Sequence, residues 1–71
     1  MIEDVENSGI DRYAWENLIN RWIFDELDRK ILKRKILDNV SLERIAEEIG
    51  VSVTTVKRRH SKAFKKLVKK L

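Results

Sequence analysis

The chain has 71 residues, a net charge of +4, two glycines, and neither cysteine nor proline. A chain of this length forms one domain, and without cysteine it has no disulfide and no thiolate metal ligand. So few turn residues argue against a sheet and favour an all-α fold.

The sequence also argues against a membrane or secreted protein. No apolar run approaches the roughly 18 residues of a membrane span. The N-terminal MIEDVENSG is acidic, whereas a signal peptide begins with basic residues. We therefore expect a soluble, cytoplasmic protein.

Charge is distributed unevenly along the chain. Residues 1–28 contain two basic and eight acidic residues, whereas residues 29–71 contain fourteen basic and four acidic residues. Such asymmetry indicates one half that faces a polyanion and another that faces away from it.

The N-terminal residues 1–10 are polar and have no helical periodicity. We expect them to form a flexible acidic tail. Residues 11–71 then form a single helical domain, which begins at Asp11 because that side chain is a candidate N-cap.

The first predicted helix covers about residues 12–23. Its apolar residues recur at spacings of three and four: Ala14, Trp15, Leu18, Ile19, Trp22 and Ile23. The stripe is broad enough to leave two interpretations open. It packs into the core, or Trp15, Leu18 and Trp22 form a face that binds a second copy or a larger partner.

The second predicted helix covers about residues 26–38, with Asp25 as its N-cap and Asn39 as a left-handed C-terminal residue. Its apolar positions are Leu27, Ile31, Leu32, Ile36 or Leu37, and Val40. Basic residues between them are Arg29, Lys30, Lys33, Arg34 and Lys35. They are either solvated surface or contacts to DNA phosphates.

The stretch 41–67 has the pattern of a helix-turn-helix. Ser41 caps a predicted helix at 42–49, and Gly50 fits the following position, where a positive φ favours glycine. Ser52 then caps a fourth helix at 53–70. That helix contains no acidic residue.

Base contacts are predicted from the rotation of the fourth helix. Val56 is expected to pack inward, and residues at three- and four-residue spacing on the other side then face outward. An α-helix fits the major groove and its N-terminal residues reach base edges. The predicted base-contacting residues are Val53, Thr54, Lys57 and Arg58.

Phosphate contacts are predicted from hydroxyl and basic groups around the same helix. Hydroxyls and amides at helix N-termini bind phosphate, and lysines and arginines neutralise it. The predicted phosphate-contacting residues are Ser41, Ser52, Thr55, Arg59, Ser61, Lys62, Lys65 and Lys66.

Catalytic chemistry has little support in the sequence. His60 is the only histidine, and neither a cysteine nor a second histidine accompanies it. No carboxylate pair with a nucleophile, no glycine-rich phosphate loop and no metal-ligand spacing is present. We expect neither enzyme activity nor a metal or cofactor.

Several short motifs carry a resemblance to a known family. They are Ser41-Leu42, Ile45-Ala46-Glu47, Ile49-Gly50-Val51-Ser52, Thr55-Val56-Lys57, Lys62-Ala63 and Lys66-Leu67. From Asp28 to Leu67 the chain resembles region 4 of bacterial sigma factors. Its short format, with a Trp-containing helix before the motif, is more similar to small sigma-like regulators of phages and prophages.

The resemblance implies four helices, with the fourth in the major groove of a promoter element, and often a contact with RNA polymerase. It places base contacts at Val53, Thr54, Lys57 and Arg58. Sigma factors commonly have Arg-Glu where this chain has Val53-Thr54, so the standard promoter sequence is not implied.

Three functions remain open from the sequence. The first is a sequence-specific, sigma-like transcriptional regulator that binds double-stranded DNA. The second is a phage DNA-packaging protein, similar to a small terminase, which recognises genome ends through the same motif. The third is a module that docks on RNA polymerase through the apolar face of the first helix. A homodimer is compatible with the first.

Overall fold

The computed structural model describes residues 11–70, which form four helices and contain no strand. Helix α1 covers Arg12–Trp22. Helix α2 consists of an α-helical part, Glu26–Leu32, and a wider helical turn, Lys33–Leu37, that follows it directly. Helix α3 covers Leu42–Ile49 and α4 covers Val53–Val68. The predicted all-α fold is confirmed, and the predicted tail at 1–10 lies outside the described residues.

Each helix begins at the capping side chain that the sequence predicts. The side chains of Asp11, Asp25, Ser41 and Ser52 each accept a hydrogen bond from the backbone amide three residues ahead. The donor–acceptor distances are 2.8, 3.0, 3.2 and 3.2 Å. Each cap satisfies an amide that has no partner within its own helix.

Two residues with positive φ end α2 and α3. Asn39 follows α2 with φ 58°, and Gly50 follows α3 with φ 76°. The Gly50 amide donates to the Ala46 carbonyl at 2.9 Å, which closes the last turn of α3. Both predicted C-terminal residues are therefore confirmed.

Some predicted helix ends differ from the structure by one or two residues. Ile23 is extended rather than helical, so α1 stops at Trp22. In the last turn of α2 the Asp38 amide donates to the Lys33 carbonyl, five residues back, at 3.2 Å. At the end of α4 the Lys70 amide donates to Leu67 instead of continuing the α-helical pattern.

The core consists of two apolar clusters. The first cluster has the buried residues Ile19, Ile23, Leu32, Ala63 and Leu67. The second cluster has Ile31, Ile45, Ala46 and Val56. Because α2 and α4 contribute to both clusters, the position of α4 is determined by all three preceding helices.

The ambiguity between Ile36 and Leu37 is settled by these clusters. Ile36 packs against the first cluster, whereas the Leu37 carbonyl accepts a hydrogen bond from Arg12 of α1 at 2.8 Å. The wider turn therefore brings a side chain and a carbonyl of neighbouring residues to α1.

Arginines join the helices on the polar side of the fold. Arg34 of α2 donates to both carboxylate oxygens of Glu48 on α3, at 2.9 and 2.5 Å. It also donates to Asp38 at 3.0 Å, and Asp38 in turn pairs with Arg12 at 3.2 Å. Hydrogen bonds from Arg34 hold the pKa values of Glu48 and Asp38 below their usual values, with Arg12 adding to the effect at Asp38.

Candidate nucleic-acid interface

The rotation of α4 is fixed by its buried side. Val56 and Leu67 have no exposed surface, and Ala63 is 3% exposed. With these residues in the core, the opposite side of α4 lies at the surface. The exposed residues there are Thr54, Lys57, Arg58, Ser61, Lys62, Lys65 and Lys66.

The four predicted base-contacting residues do not share one environment. Thr54, Lys57 and Arg58 are exposed, as the rotation predicts. Val53 is half-buried and packs against the second cluster. It lies three residues before Val56, so it falls at the edge of the same apolar side. A base contact by Val53 stays a prediction, and the residue is less outward than the sequence indicated.

The hydroxyls predicted to bind phosphate also cap helices. Ser52 accepts from the Thr55 amide and donates to the Thr55 hydroxyl, whose oxygen lies 2.9 Å away. Ser41 accepts from the Arg44 amide. A hydroxyl group both accepts and donates, so Thr55 and Ser41 can also donate to an acceptor such as phosphate.

A groove of about 390 Å³ runs along one flank of the exposed side of α4. It is lined by Asp28, Thr55, Arg58, Arg59, Lys62, Ala63 and Lys66. Four cationic groups against one carboxylate make the groove suitable for an anion. Four of the predicted phosphate-contacting residues are brought together here.

Arg59 has acidic partners that the sequence analysis did not predict. Its guanidinium pairs with Asp28 at 3.0 Å and with Asp25 at 3.4 Å. The arginine is half-buried and joins α4 to the first turn of α2. Arg59 is separated along the chain from Asp28 by 31 positions and from Asp25 by 34, and no local spacing rule predicts contacts over such separations. A phosphate contact by Arg59 stays a prediction and would have to share the guanidinium with these carboxylates.

The basic residues of α2 have mixed roles. Arg29 donates to the carbonyls of Ile23 and Asn20 at the end of α1, and Arg34 pairs with acids. Lys30 is exposed. The two arginines therefore stabilise the fold. The sequence predicted only solvated surface or phosphate contacts for them, and not this structural role.

The aromatic residues of α1 and α4 form a stack. The rings of Trp15 and Phe64 lie 6.2 Å apart, and those of Phe64 and His60 lie 5.7 Å apart. Burial lowers the pKa of His60, and the nearby charge of Lys35 lowers it further, so the imidazole is neutral at neutral pH. Among residues 11–70, no group of three or more acidic, histidine or cysteine side chains is arranged to hold a metal ion.

Trp15, Leu18 and Trp22 all pack against the first cluster, as the core interpretation expects. Each is half-buried and keeps part of its surface exposed. The ammonium group of Lys70 lies 4.2 Å from the centre of the Trp22 ring. A dimer or docking role for this face stays a prediction.

Comparison with known families decides the assignment. Residues 25–67 match the family described as sigma-70, region 4. The chain belongs to the sigma-70 region 4 family. The match covers well over half of the chain, including all of α2 and α3 and all but the last residue of α4. The predicted resemblance is thereby confirmed, and the domain is a DNA-binding helix-turn-helix.

The sigma-70 region 4 match does not cover α1. Neither the search of curated proteins nor the search of solved structures returned a significant match. Within residues 11–70, no helix is both long enough and apolar enough to cross a membrane.

Proposed function

We propose that this protein is a sequence-specific, sigma-like transcriptional regulator that inserts α4 into the major groove of double-stranded DNA. The observation that carries the proposal is the burial of Val56, Ala63 and Leu67. This burial turns the start of α4 outward, with Thr54, Lys57 and Arg58 at the surface. The sigma-70 region 4 assignment supports the same conclusion.

Base recognition is assigned to the first two turns of α4. Arg58 donates in a fork that suits the O6 and N7 atoms of guanine, and Lys57 donates to the same acceptors as a point charge. Thr54 either donates, accepts, or contacts a thymine methyl group, and Val53 contributes apolar contact at the edge of this surface. These four residues supply the sequence information.

The groove beside α4 is assigned to one DNA strand's phosphates. The phosphate-contacting residues that line it are Thr55, Arg59, Lys62 and Lys66, and Lys65 and Ser61 extend the exposed side. Arg58, which also lines the groove, is assigned to bases. Phosphate contacts place a protein on the duplex without identifying its sequence. They also make binding salt-dependent, because each neutralised phosphate releases counterions.

RNA polymerase is a proposed second partner, in keeping with the sigma-70 region 4 assignment. The exposed parts of Trp15, Leu18 and Trp22 are the proposed contact face, because neighbouring aromatic and apolar side chains that keep exposed surface are typical of an interaction site. A cytoplasmic location and a phage or prophage origin complete the proposal. The location rests on the assignment to a DNA-binding domain, and the phage or prophage origin rests on the Trp-containing helix that precedes the motif.

In vitro selection from a random duplex pool tests the proposal. We expect one short enriched site whose affinity falls steeply with salt. A palindromic site would add the homodimer to the proposal, because two-fold proteins bind two half-sites about one turn apart. Absence of any enriched sequence would contradict the regulator. Polymerase binding retained without DNA selection would favour the docking module instead, and a large ring on mass measurement would favour the packaging protein.

A further inference from the structure

An ion pair joins α3 to the exposed side of α4. The carboxylate of Glu43 lies 4.0 Å from the ammonium group of Lys57. It is the only ion pair between these two helices among residues 11–70. Both side chains are well exposed, Lys57 at 57% and Glu43 at 68%, so solvent and approaching ligands reach the pair.

The pair contributes little to folding. Solvent screens exposed ion pairs, and the entropy lost in holding two long side chains together offsets most of their attraction. Glu43 also lies in the first turn of α3, where a negative charge suits the helix dipole. Neither the stability of the fold nor the helix dipole requires that the partner of Glu43 be Lys57, which is one of the predicted base-contacting residues.

The other acids of α3 are placed differently. Glu48 pairs with Arg34 and Arg44, neither of which is a predicted base-contacting residue. Glu47 is exposed and makes no ion pair with another described residue. Glu43 is therefore the acid of α3 whose carboxylate accompanies a residue of the proposed DNA-contacting surface.

We propose that Glu43 is a specificity-determining residue, which restricts Lys57 to a base contact. A lysine without a partner is a flexible point charge that binds any phosphate or base acceptor within its reach. The Glu43 carboxylate confines the ammonium group, offsets its charge, and repels phosphates that approach it. Lys57 then adds little to non-specific binding and donates chiefly to a guanine that lies opposite it.

This inference rests on the proposed function, and its test uses wild type and four variants. Glu43→Gln removes the carboxylate, and Glu47→Gln removes an equal charge from the same helix without an ion pair. Lys57→Met, alone and combined with Glu43→Gln, completes a double-mutant cycle. Affinities are measured for the selected site, for its single-base variants and for a random duplex, and circular dichroism verifies that each variant is folded.

We expect Glu43→Gln to bind random duplex several-fold more tightly and to lose discrimination at one base pair. That loss should be about fivefold or more, the lower end of what one base-edge contact supplies. Glu47→Gln should keep the wild-type discrimination. In the Lys57→Met background, Glu43→Gln should cause no further loss at that base pair.

Two outcomes would overturn the inference and separate it from the proposed function. Equal discrimination in Glu43→Gln and Glu47→Gln, in a protein that selects a site, overturns the role of Glu43 alone. A wild-type protein that selects no sequence overturns the proposed function together with this inference.

Discussion

Arg58 lies on the exposed side of α4 and makes no ion pair with another described residue. We expect Arg58→Ala to lose roughly 1–3 kcal/mol of binding free energy and to relax specificity at one base pair. Arg58→Lys keeps the charge but loses the fork of donors, so it should keep the salt dependence while discriminating less well. Affinities for single-base variants of the selected site measure both effects. Equal weakening on every sequence would contradict base recognition by Arg58.

Lys66 lines the groove beside α4 and is assigned to phosphate. We expect Lys66→Ala to weaken binding about evenly on all sequences. The slope of the logarithm of affinity against that of salt concentration should fall by about 0.9. Lys30→Ala is the matched control, since this exposed lysine of α2 lies outside that groove and should leave the slope unchanged. An effect of Lys66→Ala confined to one base position would argue against the phosphate assignment.

Individual residues were predictable where a local rule applies to them. Asp11, Asp25, Ser41 and Ser52 cap helices because each has an unpaired amide three residues ahead, a relation that the sequence displays directly. The pairing of Arg59 with Asp25 and Asp28 depends on how α2 and α4 pack. The half-burial of Val53 likewise depends on the exact rotation of α4 against the second cluster. Neither could be derived from neighbouring residues.

At the scale of elements, the turn between α3 and α4 places the proposed DNA-contacting helix. Gly50 has φ 76°, and a Cβ built there meets nothing within 4 Å. A substitution therefore costs only the backbone strain of the left-handed conformation, about 1–2 kcal/mol. We expect Gly50→Ala to reduce the free energy of unfolding by that amount in urea titrations.

Gly50→Asn is the matched variant for this prediction. Asparagine tolerates the left-handed conformation better than alanine, so it should recover part of the lost stability. If alanine and asparagine destabilise the protein equally, strain at Gly50 is not the cause.

The helices themselves were predictable from apolar spacing, but the last turn of α2 was not. Both Ile36 and Leu37 fit an apolar spacing, so helical periodicity does not distinguish between them. The structure uses a wider turn, in which Ile36 packs inward while the Leu37 carbonyl accepts from Arg12. That turn depends on a partner 25 residues away, which helical periodicity does not contain.

At the scale of the whole molecule, the acidic and basic parts of the sequence are only partly separated from each other in the folded protein. The basic side of α4 is exposed, which agrees with the prediction that the basic part of the chain faces a polyanion. Two acids of the N-terminal half, Asp25 and Asp28, nevertheless pair with Arg59 on the flank of α4. The acidic part of the chain therefore holds α4 in place as well as carrying charge.

Acid should weaken the fold through the pairs that Arg34 makes between α2 and α3. The pKa values of Asp38 and Glu48 are lowered in the folded protein from ordinary values of 3.8 and 4.5, chiefly by hydrogen bonds from Arg34. In acid the unfolded chain therefore binds more protons than the folded protein, and the free energy of unfolding decreases as the pH is lowered. This contribution is complete above about pH 5 and is lost as pH falls through the ordinary values and then the lower folded ones.

Arg34→Gln should remove most of this pH dependence. We expect it to be less stable than wild type at pH 7, with a difference that narrows at pH 3, in urea titrations followed by circular dichroism. Arg44→Gln is the matched control, because Arg44 is 71% exposed and lies 3.9 Å from Glu48. It should retain nearly the wild-type profile. Parallel pH profiles for wild type and Arg34→Gln would show that other groups control the acid sensitivity, because only the Arg34 pairs are lost in the variant.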